Sequence, residues 1–281
     1  MNRVLIAFSL SLSLVACHHV GTTSGDVDGS QGDDPSIAVV TAGPNSFEAP
    51  AELPAGYVTI RFTNDTDALH SAHLIRLDGG HSVGDLVAVY GEAVQTGGPR
   101  PSWIAHHGGV IAEPGTGEAT AFLEPGDYAW VCVMGEDSGD GPHFMAHEVQ
   151  ALSVTGPTRG SVDSVSPDAT IRMTDSGEEL SVPLRPGPQT LEITNAGSTT
   201  HLLAISRLGP SSTVEDVAAW FQDPAGPPPA IGVAATTVLD PGLSAWLNVD
   251  LAPGRYVLFC MANADGPPHV FRGEIREVVV P

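Results

Sequence analysis

PGRYVLFCMANADGPPH, Pro253 to His269, and PGDYAWVCVMGEDSGDGPH, Pro125 to His143, are one stretch written twice. Each opens with Pro-Gly, reaches a Tyr and then a Cys four residues on, and closes through a Gly, Asp and Pro loop on Pro-His. A strand that ends in Cys, followed by a loop that returns a His, sets a thiolate beside an imidazole. Those are ligands for a soft or borderline metal such as copper. The competing reading is a buried structural Cys under a tight turn. In the first copy Tyr128, Trp130 and Cys132 alternate with Ala129, Val131 and Val133. Both faces are apolar, so the strand is expected to be central in its sheet or covered on both sides.

The repeat extends upstream. FTNDTDALHSAHLIRL (Phe62 to Leu77) matches ITNAGSTTHLLAISRL (Ile193 to Leu208), pairing His70 with His201 and Arg76 with Arg207. Each copy then carries a short helical pattern, with Val83, Leu86, Val87 and Tyr90 on one face in the first and Val214, Val217, Ala218 and Phe221 in the second. Ser82 with Asp85, and Thr213 with Asp216, have the spacing of a capping box. The separation of matching positions shortens slightly along the chain, as duplication followed by loop trimming would leave it. Period-two patterns such as Val58, Ile60 and Phe62 against Thr59, Arg61 and Thr63 alternate with frequent Pro-Gly turns. The fold expected is all-β: two tandem antiparallel Greek-key β-sandwiches, each with one short helix. Their expected bounds are residues 36–156 and 157–281.

Each unit resembles a cupredoxin, the blue-copper-type fold, and in particular bacterial plastocyanin-like domains. Those have an Asn-x-Gly-x-x-x-His start, a Pro-Gly-x-Tyr-x-x-x-Cys strand and a closing Pro-His-x-x-x-Gly-Met. The second copy matches at Asn195, Gly197, His201, Pro253, Gly254, Tyr256, Cys260, Pro268, His269 and Gly273; the first at Asn64, His70, Pro125, Gly126, Tyr128, Cys132, Pro142 and His143. The resemblance covers the chain from about Ser36 onward. It implies copper held by His70, Cys132 and His143 in one unit and by His201, Cys260 and His269 in the other, with a weaker axial ligand. Where the family closes on Met, this chain has Glu148 and Glu274; Met145 is a further axial candidate in the first copy. Ten residues separate Cys132 from His143 and eight separate Cys260 from His269, longer than is usual in the family.

The function implied is copper binding for one-electron transfer or copper handling. The alternative left open is a metal-free cupredoxin-like module that binds or scaffolds through its loops. Tandem units of this kind are similar to copper nitrite reductases and small laccases. Those build a second copper centre from His-x-His pairs or a His beside the copper Cys, and this sequence has neither. A protein without catalysis is therefore expected. Extra histidines in the first copy (His73, His81, His106, His107 and His147) are candidates for an exposed Cu(II) or Zn(II) site, but the expectation is that they are merely solvated loop residues. A Cys132–Cys260 disulfide is not expected, because equivalent central strands rarely come within bonding reach.

The N-terminus adds an address. Arg3 precedes an apolar and Ser run, Val4 to Ala16, too short to span a bilayer but suited to an export signal. The run ends in Leu14-Val15-Ala16-Cys17, which resembles a bacterial lipobox and implies that Cys17 is lipidated and becomes the mature N-terminus. His18, where an Asp would signal retention, leans to the outer membrane. Residues 18–35 read as a flexible tether of Gly, Ser, Thr and Asp. With 33 acidic against 11 basic residues, and every basic residue an Arg, the net charge is -22. This excludes nucleic acid as a partner and favours cations or a basic redox or metal-donor protein.

Overall fold

The computed structural model describes residues 35–44, 46–135, 141–159, 165–263 and 266–281. The export run, Cys17 and the tether as far as residue 34 lie outside them. The first half carries β1 (Ser36–Gly43), β2 (Ser46–Glu48), β3 (Glu52–Asn64), β4 (His70–Leu77), β5 (Ile104–Ala112), β6 (Gly115–Leu123), β7 (Gly126–Val131) and β8 (Val149–Arg159). The second carries β9 (Ala169–Thr174), β10 (Gly177–Leu180), β11 (Gly187–Asn195), β12 (Ala204–Leu208), β13 (Ala230–Thr236), β14 (Ser244–Leu251), β15 (Gly254–Phe259) and β16 (Ile275–Val280). Strand β8 runs three residues beyond position 156.

The fold is a cupredoxin-like β-sandwich arrangement with few short helices. Most neighbours pair antiparallel, while β1 with β3, β3 with β8 and β9 with β11 run parallel. The halves are joined by hydrogen bonds between strands: β6 pairs β14, with Ala121 opposite Ala245, and β5 pairs β13, with Ile111 opposite Ala235. One continuous buried core takes Val58, Ile60, Phe62 and Trp130 from the first half and Ile171, Ile193, Leu247 and Tyr256 from the second.

The strands that lead directly into Cys132 and Cys260 are central in each half. β7 lies between β4 and β8, and β15 between β12 and β16. Tyr128 and Trp130 face the main core, whereas Ala129 and Val131 face a separate cluster with Ile75, Leu86 and Phe144. That cluster is roofed by a helical segment made of α1 (Val83–Asp85), a π-helical turn (Leu86–Tyr90) and α2 (Gly91–Thr96). In the second half α3 (Val214–Gln222) roofs Val257 and Phe259 in the same way, through Val217 and Phe221.

The repeated Pro-Gly-x-Tyr has a physical cause. The Tyr128 hydroxyl donates to the Glu124 carbonyl at 3.1 Å, and that of Tyr256 to the Ala252 carbonyl at 2.8 Å. Arg207 donates to the Pro253 carbonyl at 3.0 Å, and Arg76 packs over the matching turn and reaches Glu124 at 3.1 Å. A tyrosine and an arginine thus fix the turn that launches each Cys strand.

Both capping boxes form: Ser82 and Thr213 accept from the amides of Asp85 and Asp216, whose carboxylates accept from the cap amides in return. Thr213→Ala is expected to lower folding stability by about 1 kcal/mol in a denaturant titration, because the α3 cap loses its acceptor.

Candidate metal centres

Each Cys and its closing loop are tied backbone to backbone. The Cys132 amide donates to the Glu148 carbonyl at 3.0 Å, and the Phe144 amide to the Cys132 carbonyl at 3.0 Å; Cys260 repeats this with Glu274 at 3.1 Å and Val270 at 2.8 Å. The His143 amide bonds the Met134 carbonyl and the His269 amide the Ala262 carbonyl, which turns each closing His back over its Cys. The loop carrying the first His is pinned by a buried asparagine. The side-chain amide of Asn64 donates to the carbonyls of Ala68 and Ala112, and that of Asn195 to those of Thr199 and Leu239. A buried amide left without partners would cost about 1–3 kcal/mol, so the loop is held in one conformation.

The result is two four-residue clusters, His70, Cys132, His143 and Glu148, and His201, Cys260, His269 and Glu274, with their ligand atoms all within 4.8 Å of one another. In the first, Cys132 Sγ lies 3.7 Å from His70 Nδ1 and 3.6 Å from His143 Nδ1, and Glu148 Oε2 lies 2.9 Å from His70 Nδ1. In the second, Cys260 Sγ lies 3.7 Å from His201 Nδ1 and 3.5 Å from His269 Nδ1, the two Nδ1 atoms are 3.2 Å apart, and Glu274 Oε2 is 2.9 Å from His201 Nδ1. A metal with sulfur and nitrogen bonds of about 2.0 to 2.3 Å and angles near tetrahedral or trigonal separates S from N by about 3.5 to 3.8 Å. Both clusters have that spacing with no side chain moved, and a thiolate with two imidazoles is a donor set consistent with copper.

The glutamates stand where the resemblance places an axial ligand, and both are buried rather than surface acids. Met145 instead packs in the cluster with Leu86 and Phe144, against Gly91 and Gly141. Three contributors had no signal in the sequence beyond an ordinary turn or strand start. The amides of Ser71 and Leu202 donate to the sulfurs of Cys132 and Cys260 at 3.3 and 3.4 Å. Asp175, in the turn between β9 and β10, accepts from His201 Nε2 at 3.1 Å. Cys132 and Cys260 are both free thiols.

Burial raises both thiols above the ordinary cysteine value, and the Glu148 carboxylate adds to the effect at Cys132. Burial would also raise Glu148, but its bonds with His143 and His70 outweigh this and hold it at about 2. Glu274 is lowered in the same way by His201 and His269. Burial works against protonating His201, yet Cys260, Glu274 and Asp175 outweigh it and raise it to about 10.

The expectation of solvated loop histidines is corrected for His73 and His106. Both lie in strands and are buried, because β4 and β5 pack against the second half. His73 Nδ1 meets Thr237 Oγ1 at 2.6 Å, and His73 Nε2 meets His106 Nδ1 at 2.8 Å. The His106 amide donates to Asp240 at 3.1 Å, and Asp240 also pairs with Arg100. The contacts with Thr237 and Asp240 cross between the halves. His107 is partly buried with its ring edge-on to Tyr128, His81 is half-buried and stacked on Trp103, and His147 is exposed.

Burial holds His106 at about 3 and His73 well below 6.5. Both stay neutral in the folded chain while the unfolded chain takes up protons below about 6.5. Their contribution is therefore complete above that pH and is lost as the pH falls. Unfolding free energy is expected to drop between pH 7 and pH 5, with about 2 kcal/mol of the drop from His106 and a further part in the same direction from His73. H106Q is expected to flatten that slope in denaturant titrations run at both values.

No family model matches the sequence, and no curated protein matches it. Solved structures do. Auracyanin A, named as a blue copper protein from Chloroflexus aurantiacus, is 22% identical; the match covers 43% of this chain and 99% of that one, with a TM-score of 0.31. A copper nitrite reductase from Nitrosomonas europaea is 14% identical over 88% of this chain and 93% of its own, with a TM-score of 0.25. A blue copper oxidase from the same organism is 13% identical over 88% and 85%, with a TM-score of 0.23. Against the expectation of a chain without catalysis, the last two neighbours, matched over most of this chain, are named as enzymes.

Proposed function

We propose that this chain is a redox copper protein of the bacterial envelope, exported and lipid-anchored through Cys17, with a copper site in each half. The observation that carries the reading is the pair of clusters in which His, Cys, His and Glu converge at metal-ligand spacing. Bound copper supplies a one-electron couple. The chain contributes donors that suit both oxidation states, because thiolate and neutral imidazole hold Cu(I) and Cu(II) alike. Backbone ties and the asparagine clamps preset the geometry, so little rearrangement accompanies a change of charge. The anchor reading rests on the Leu14-Val15-Ala16-Cys17 sequence, and the acidic surface favours a basic redox or metal-donor partner.

The glutamates set the direction of the potential. A thiolate and a carboxylate bring two negative charges, which Cu(II) neutralises and Cu(I) does not, and uncompensated buried charge is costly. Glu148 and Glu274 therefore favour the oxidised ion relative to a thioether in the same place.

The purified protein titrated with Cu(II) is expected to take up two equivalents and to show an intense thiolate-to-copper band in the visible. Cys132→Ser and Cys260→Ser should each remove one equivalent and part of the band. Copper uptake with no such band, or a band that survives both substitutions together, would refute the sites assigned here.

Glu148→Met and Glu274→Met are expected to raise the midpoint potential of their own site and leave that of the other unchanged, as read in a redox titration of the visible band.

A further inference from the structure

The two clusters share four donors but differ in what covers them. In the second, the side chains of His201, His269 and Glu274 are no more than 2% exposed. The cover is Asp175, which accepts from His201 Nε2 at 3.1 Å, from the Ser198 amide at 2.9 Å and from the Ser198 hydroxyl at 2.7 Å. The β9–β10 turn is thereby fastened across the back of the first histidine. Gly197 makes room for this, since a Cβ there would collide with Asp175 Oδ1 and His201 Nε2.

Among the described residues the first half has the same framework without the fastening. β1 runs parallel to β3 with Ala42 opposite Asn64, as β9 runs parallel to β11 with Met173 opposite Asn195. That register puts Pro44 where Asp175 stands, and Thr66 where Gly197 stands. Proline offers no side-chain acceptor, and Thr66 turns its hydroxyl to Asn64 Oδ1 at 2.7 Å. A cavity of about 500 Å³ opens at this place, lined by Pro44, Thr66, Asp67, Ala146 and His147 and floored by His70, His143 and Glu148. His143 is 13% exposed in its side chain, and His147 is 53% exposed with Nε2 3.9 Å from Glu148 Oε1. An imidazole on the rim and a carboxylate below it form a path of successive ligands from solvent to Cys132.

We propose that the first site is an exchange site, which takes up and gives out copper through the cavity at His147, and that the second site, fastened by Asp175, retains its copper. This rests on the copper reading above. The ligand the cavity admits is the ion carried by a donor or acceptor that presents exposed donors of its own, so that ligands are swapped one at a time and the ion is never left bare.

The test is metal release from the reduced, two-copper protein into an excess of bathocuproine disulfonate, a Cu(I) chelator, under anaerobic conditions. Two phases of equal amplitude are expected. The fast one should be missing from Cys132→Ser and the slow one from Cys260→Ser. Asp175→Ala, and independently Gly197→Thr, should speed the slow phase by about 10- to 100-fold and leave the fast phase as it was. His147→Ala should slow only the fast phase. A single phase in the unaltered protein, a fast phase that survives Cys132→Ser, or a slow phase indifferent to Asp175→Ala would overturn the proposal. Failure of the protein to load copper at all would instead overturn the reading on which it rests. If Cys260→Ser does not fold, the Asp175→Ala comparison decides.

Discussion

A thiol buried on every side keeps its proton, and everything around Cys132 and Cys260 answers that constraint. Both sit at the ends of strands with apolar neighbours on two faces, and burial raises both above the ordinary thiol value. A thiolate in such a place has to be met by positive charge and by donors aimed at the sulfur. The amides of Ser71 and Leu202 supply one such donor each. The two imidazoles, one from a residue before the Cys strand and one from the loop after it, set their Nδ1 atoms 3.5 to 3.7 Å from the sulfur. The sandwich can thus be seen as a device for holding a sulfur away from water while two loops close over it.

How much of this could be read beforehand varies with the kind of information. The strand pattern around Tyr128 and Tyr256, the two capping boxes and the duplicated order of His, Pro-Gly, Tyr, Cys and Pro-His are local or repeated, and the sequence displays them directly. The grouping of His70 with Cys132 and His143 was legible only through the resemblance, because their proximity depends on which strands pair. Asp175 was not legible. It lies in an ordinary Thr-Asp-Ser-Gly turn, and its role arises from the parallel register of β9 on β11, which no single-sequence pattern encodes. His73 and His106 were misread as solvated, since a polar residue in a short apolar run looks exposed until a second layer is known to cover it. What covers them is the other half of the chain, through Thr237 and Asp240.

The two halves share a framework and differ at the periphery. The asparagine clamp, the tyrosine and arginine at the Pro-Gly turn, and the ties between each Cys and its Glu are the same in both halves. The helical roof differs, with a π-helical turn between α1 and α2 in one half and a regular α3 in the other. Among the described residues the polar bridge of His73 and His106 has no equivalent in the second half, where Ala204 stands at the position of His73. What is shared builds the clusters, and what differs decides how each half meets solvent and its twin.

The hydrogen bonds that join β6 to β14 and β5 to β13 bear on how the protein is made as well as on how it stands. During synthesis β5 and β6 emerge well before the strands that complete them, and each waits with one row of backbone donors and acceptors uncovered. Open rows of that kind invite pairing with a second chain. In the complete chain β13 covers Val110 and Ile111 of β5, and β14 covers Ala119, Thr120 and Ala121 of β6. Cutting the chain between its halves would bare those strand segments.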